Sequence, residues 1–170
     1  QSGIRCDVYE KVQQLAEVGA GLQIAPNASR ILDALGVLAA LEEVWNEPER
    51  IDLVSGSNLK RLASVPVGVN ARTRWGSPYG VLHRATLQQA AVRKEPLIAL
   101  HLGTPLDPVA DPLPDRDRSG LIVGADGVWS RMRGLIPSSP KPAFSGNIAW
   151  RFTVPGNQAP SFLDVSAVSA

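Results

Sequence analysis

The stretch Gly120-Leu121-Ile122-Val123-Gly124-Ala125-Asp126-Gly127-Val128-Trp129-Ser130-Arg131-Met132-Arg133 decides how the rest of the chain is read. Leu121, Ile122 and Val123 are branched apolar residues between glycines, which is the pattern of a strand buried on both faces. Gly124-Ala125-Asp126-Gly127 then reads as a tight turn leading into a short amphipathic segment. The two glycines permit backbone conformations that a side chain forbids, and allow close approach of another group. Asp126 places a carboxylate at the carboxyl end of that strand, where open α/β sheets bind ligands. An Asp at a strand-turn-helix corner also serves as a helix cap, and the residues alone leave both readings open.

Working outward, Cys6-Asp7-Val8-Tyr9-Glu10 reads as a strand ending in an acid, with Lys11 following. In dinucleotide-binding folds such an acid accepts hydrogen bonds from ribose hydroxyls and lies about 20 residues after a glycine fingerprint. Counting back from Glu10 places that fingerprint before residue 1. Gly19-Ala20-Gly21 does not replace it, because no strand precedes it and Ile24 stands where the third glycine belongs. Glu10 taken alone reads as a solvated strand end.

Asn27 is expected to cap a helix carrying Ile31, Leu32 and Leu35 on one face, with Gly36 as its stop. Leu38, Leu41 and Val44 continue the apolar stripe to Trp45, giving a helical hairpin packed on a sheet. Residues 46–80 hold two short β-like runs, Ile51–Val54 and Leu62–Val67, read as a hairpin with loops. Tyr79 to Ala90 reads as an apolar-His-Arg segment entering a helix, with Arg84 in the first turn. There an arginine beside helix amides could clamp a pyrophosphate, while in isolation it reads as a surface arginine paired with a carboxylate. His83 is expected to pack rather than react. Between Ala91 and Ser119, Pro96, Pro105, Pro108, Pro112 and Pro114 leave room for little beyond one strand near Leu97–Leu102. Ile148 to Pro155 reads as a further strand.

Composition narrows the function classes. The 170 residues suit one domain of ordinary size or a piece of a larger one, long enough to bury roughly 70% of its unfolded surface. Net charge is +1 without blocks of like charge, so nothing points to nucleic acid or an anionic membrane. No apolar run approaches the ~18 residues of a membrane span. Cys6 is the single cysteine, which excludes an internal disulfide and a multi-cysteine metal site and is consistent with a reducing intracellular location. His83 and His101 are the only histidines, so no metal cluster or catalytic triad is expected.

Gly124 to Arg133 resembles the second flavin motif of the FAD-dependent aromatic hydroxylases, the single-component monooxygenases typified by salicylate hydroxylase and p-hydroxybenzoate hydroxylase. Two more segments resemble that family in matching order. The aromatic-acid-basic end of the first strand is similar to its second strand, and Tyr79 to Ala90 to its His-Arg segment. Gly19-Ala20-Gly21 followed by Pro26-Asn27 looks like the family segment that passes close to the flavin ring. The resemblance covers most of residues 4–90 and 120–155.

It implies an α/β fold. Residues 1–140 would be a partial Rossmann-like FAD-binding domain, a parallel sheet with helices, carrying a hairpin insertion at about 46–80. Residues 141–170 would begin a β-rich substrate domain. The implied cofactor contacts are Glu10, Lys11, Gly19, Ala20, Gly21, Arg84, Asp126 and Gly127, with no catalytic residue assigned. The implied cofactors are FAD and NADH or NADPH, and the implied substrate is a small aromatic compound. Departures are the absent glycine fingerprint, the absent later Gly-Asp motif and a shortened 91–119 region, which together suggest a chain truncated at both ends. Relatives sharing these motifs epoxidise or halogenate, and a non-catalytic, partner-binding α/β remnant is the rival of a different class.

Overall fold

A computed structural model describes residues 3–15, 21–93, 95–108, 120–150, 154–161, 163–164 and 166–169. The chain divides into two units, one of residues 1–5, 15–98 and 151–170 and one of residues 6–14 and 99–150.

In the first unit β2 (Leu22–Ile24) pairs antiparallel with β5 (Gly80–Leu82), Leu22 opposite Leu82 and Ile24 opposite Gly80. Gly80 is a packing requirement, since a Cβ there would stand 2.2 Å from the Trp45 ring. Helices α1 (Pro26–Ala34) and α2 (Leu38–Glu42) form the expected hairpin, and α2 also packs on α4 (Arg84–Arg93). Ile24, Val37, Leu41 and Leu82 are buried together, with Leu32, Trp45 and Leu87 packed around them. Complete burial of a leucine such as Leu41, 0% exposed, stabilises by about 2–3 kcal/mol.

Two details of α1 depart from expectation. The helix starts one residue before Asn27, at Pro26, with extended Ala25 before it and no side-chain cap. Proline suits that first position, because its φ is already helical and it has no N–H to satisfy. The buried residue is Ser29, whereas Ile31 and Leu35 are 63% and 47% exposed. The Ser29 hydroxyl donates to the Pro78 carbonyl at 2.7 Å and meets the Ser77 hydroxyl at 2.9 Å, so α1 presents a polar spot to the 77–78 loop. Gly36 does end the helix, with φ +69°.

The expected hairpin is present as β3 (Arg50–Val54) and β4 (Arg61–Pro66), antiparallel, with a register shift between Leu53 and Val54. Helix α3 (Val69–Trp75) follows, ending at Gly76 in the left-handed region. Val67, Ala71 and Tyr79 form a second buried cluster, joined by Ile51, Trp75 and Val168. On the other side of β3 lies β7 (Ala167–Ser169), in parallel, a strand the sequence did not announce. Among the described residues no helix is long and apolar enough to cross a membrane.

In the second unit β1 (Cys6–Tyr9) pairs with β6 (Ile98–His101), both where the sequence placed them. The Asp7 carboxylate meets His101 Nε2 at 2.8 Å, and Tyr9 stacks on the same imidazole. Leu121–Val123 overturns the buried-strand reading. It joins no ladder among the described residues, and its side chains are 80%, 40% and 74% exposed. A strand exists only through hydrogen bonds to a neighbouring strand, and none of the described segments supplies one. Ile148–Trp150 is likewise exposed and, with Val154 and Pro155, outside any strand, while residues 151–153 of that expected strand lie outside the described residues.

Candidate functional site

The turn after Val123 is organised by Asp126. Its Oδ1 accepts the Ser130 hydroxyl at 2.6 Å, and its Oδ2 accepts the backbone N–H groups of Arg131 at 2.6 Å and Met132 at 3.2 Å. These bonds stabilise the charged form, the Ser130 hydroxyl foremost, and hold the carboxyl below its usual range. A 3-10 turn, Met132–Leu135, follows directly. The cap reading of Asp126 therefore describes what its carboxylate does in this chain.

Both glycines of the turn have a physical reason. Gly127 has φ +80°, a conformation side chains disfavour. Gly124 lies against Met132, whose Cβ would be 2.6 Å from any Cβ at 124. The group that approaches is thus the chain's own methionine. Arg133 Nη1 donates to the Val128 carbonyl at 3.0 Å, and Arg131 pairs with Asp107 in the loop after β6. The turn walls a concavity of about 400 Å³, lined by Ile122, Gly124, Asp126, Met132, Arg133 and Ile136 among others. Ser130 was not singled out from the sequence, although its i+4 spacing from Asp126 carries the signal.

Glu10 stands at the end of β1 as expected and is half-buried. Its Oε1 accepts the Val12 N–H at 3.0 Å, while its own N–H and C=O bond to His101 and Thr104. Lys11 is exposed. Asp126, Gly127, Glu10 and Lys11 belong to the second unit, Gly21 and Arg84 to the first. Gly19 and Ala20 lie outside the described residues.

Arg84 is the first residue of the ten-residue helix α4 and is exposed. Its guanidinium makes no hydrogen bond or ion pair with the described residues. Gly21 sits beside β5, where a Cβ would come within 3.3 Å of Val81. His83 is exposed rather than packed, and its carbonyl accepts the Thr86 N–H at 3.1 Å, opening α4. Tyr79 is buried, which pushes its phenol pKa up, and its hydroxyl donates to Gln23 Oε1 at 2.6 Å. Among the described residues no cluster of His, Cys, Asp and Glu could hold a metal ion.

No family model matches the chain. 3-Hydroxybenzoate 6-hydroxylase 1 of Aquipseudomonas alcaligenes is 32% identical over 96% of this chain and 44% of the relative. 3-Amino-4-hydroxybenzoate 2-monooxygenase PtnB3 of Streptomyces platensis is 31% identical over 99% of this chain and 44% of its own length. The crystal structure of Klebsiella pneumoniae HpxO with FAD and uric acid shares the fold over 79% of this chain and 36% of that one, with TM-score 0.56 and 22% identity. The chain belongs to the FAD-dependent aromatic hydroxylases. It spans less than half the length of the curated relatives it matches.

Proposed function

We propose that this chain carries part of the FAD site of a monooxygenase that hydroxylates a small aromatic substrate, a phenol or aromatic acid. The observation that carries the reading is Arg84, an exposed cation at the first position of α4 with no hydrogen-bond or ion-pair partner among the described residues. Its planar fork would take two pyrophosphate oxygens while the helix amides take others. Glu10 has one oxygen committed to Val12 and the other for a ribose hydroxyl. Lys11 adds a positive charge beside it. Gly19, Ala20 and Gly21 would let backbone lie against the flat flavin ring. Asp126 and Gly127 would act through the shape of their turn, presenting backbone groups to the ribityl side.

Bound FAD supplies the redox chemistry, with electrons from NADH or NADPH and activation of dioxygen. The protein's own groups bind, orient and shield. In this reading residues 1–140 are the FAD-binding part with the 46–80 hairpin inserted, and residues 141–170 open the substrate-side sheet.

A second reading follows from the turn itself. Asp126 is occupied by its own loop and Leu121–Val123 is exposed, so the chain is then a non-catalytic α/β remnant. Titration with FAD, followed by flavin fluorescence and calorimetry, separates the two. Saturable binding that weakens about tenfold or more in Arg84→Ala, and less in Glu10→Gln, is expected from losing charge-assisted bonds. No binding by the folded chain favours the remnant.

A further inference from the structure

The polar face of β3 is closed over one arginine. Along a strand successive side chains point to opposite faces, so Ile51 and Leu53 share one face and Arg50 and Asp52 the other. The Arg50 Nε donates to Asp52 Oδ2 at 3.0 Å, Nη1 to the Ser166 hydroxyl at 3.2 Å, and Nη2 pairs with Asp164. Asp52, only 7% exposed, also accepts the Ser64 hydroxyl of β4 at 2.6 Å and lies 3.8 Å from Arg61. The other Asp164 oxygen takes the Ser166 N–H at 2.9 Å and its hydroxyl at 2.7 Å. One guanidinium thus joins β3 to a segment more than a hundred residues away in sequence.

Among the described residues little else holds that segment. β7 has three residues, paired to β3 on one side, and the Glu49 N–H donates to the Ser166 carbonyl at 2.8 Å. So short a strand is not stable by itself. Its docking nevertheless matters to the core, because Val168 packs against the Val67, Ala71 and Tyr79 cluster on the apolar side.

We propose that Arg50 and Asp164 form a latch that fastens the 164–169 segment to the hairpin, making β7 a releasable strand that covers the Val67–Ala71–Tyr79 cluster when the latch is shut. The Ser166 hydroxyl and N–H, with Arg50, hold the Asp164 carboxyl at about 2, so the latch stays charged above that pH. Its partners are partly exposed, 26% and 48% by side chain, so salt weakens it.

Site-resolved amide hydrogen exchange on the whole chain tests this. Arg50→Ala and Asp164→Asn should each speed exchange at the Glu49 N–H by about tenfold or more, while amides in α2 around Leu41 stay unchanged. Ser64→Ala, which leaves Arg50 and Asp164 together, should leave Glu49 protected. Raising NaCl to about 1 M should speed Glu49 exchange in the unaltered chain but not in Asp164→Asn. Unchanged exchange at Glu49 in both latch variants overturns the proposal. So does an equal rise at Leu41, which would mean the segment cannot leave without the whole unit. Should Arg50→Ala not fold, Asp164→Asn carries the same readings.

Discussion

Leu41 and Leu121 both lie in apolar runs and end in opposite surroundings. Leu41 is 0% exposed between α1, α4 and the β2–β5 pair, whereas Leu121 is 80% exposed in a segment with no ladder partner among the described residues. The first region owes its packing to contacts between α1, α2 and α4 and to a buried serine bridge from Ser29 to Pro78. The second owes its shape to one carboxylate, Asp126, bonding within six residues of itself. Hydrophobic character sets what burial would be worth. Whether it happens depends on which other segments come alongside.

Truncating Leu41 is the strongest way to sharpen that contrast. Leu41→Ala should cost about 3 kcal/mol in urea unfolding, from lost transfer energy plus the cavity left behind. A loss well under 1 kcal/mol would mean the cluster is not the core it looks like. Ser29→Ala comes next, since it removes the partner of the Pro78 carbonyl and the Ser77 hydroxyl and should cost about 1.5 kcal/mol by the same measurement.

The Asp126 turn predicts a smaller, local effect. Its carboxyl is depressed in the folded state, so the capping contribution is complete above the ordinary carboxylate range. That contribution is lost as pH falls through the lowered folded value. The Arg131 and Met132 amide signals in NMR should shift together on acidification, and Asp126→Asn should abolish the titration while leaving the Leu41 region unmoved. If the Leu41 signals follow the same curve, the two regions are coupled and the contrast fails. Smallest of all, Leu121→Thr should change stability by no more than about 0.5 kcal/mol, because that side chain has little burial to lose. A larger cost would show that Leu121 is covered in solution.

What could be read in the sequence was what depends on neighbours along the chain. β1, β3, β4, β6, the α1–α2 hairpin, the stop at Gly36 and the entry of Arg84 into α4 all follow from period, glycine placement and capping chemistry. The Gly124-to-Arg133 run was legible for the same reason, as its bonds close within the run. The start of α1 was misread because Pro26 and Asn27 both signal a helix start and proline, with no N–H to satisfy, took the first position.

The remainder needed the tertiary structure. Ser29 is buried instead of Ile31 because a loop 48 residues further on brings a carbonyl and a hydroxyl to that face. β7 is a strand because β3, over a hundred residues earlier in the chain, supplies its ladder partner. Leu121–Val123 finds no ladder partner among the described residues. Sequence by itself determined the family and the local turns, since these are properties of residue type and short spacing. Which apolar runs are buried and which strands exist was decided by tertiary structure, because burial and ladder hydrogen bonds are pairwise and their partners lie far away along the chain.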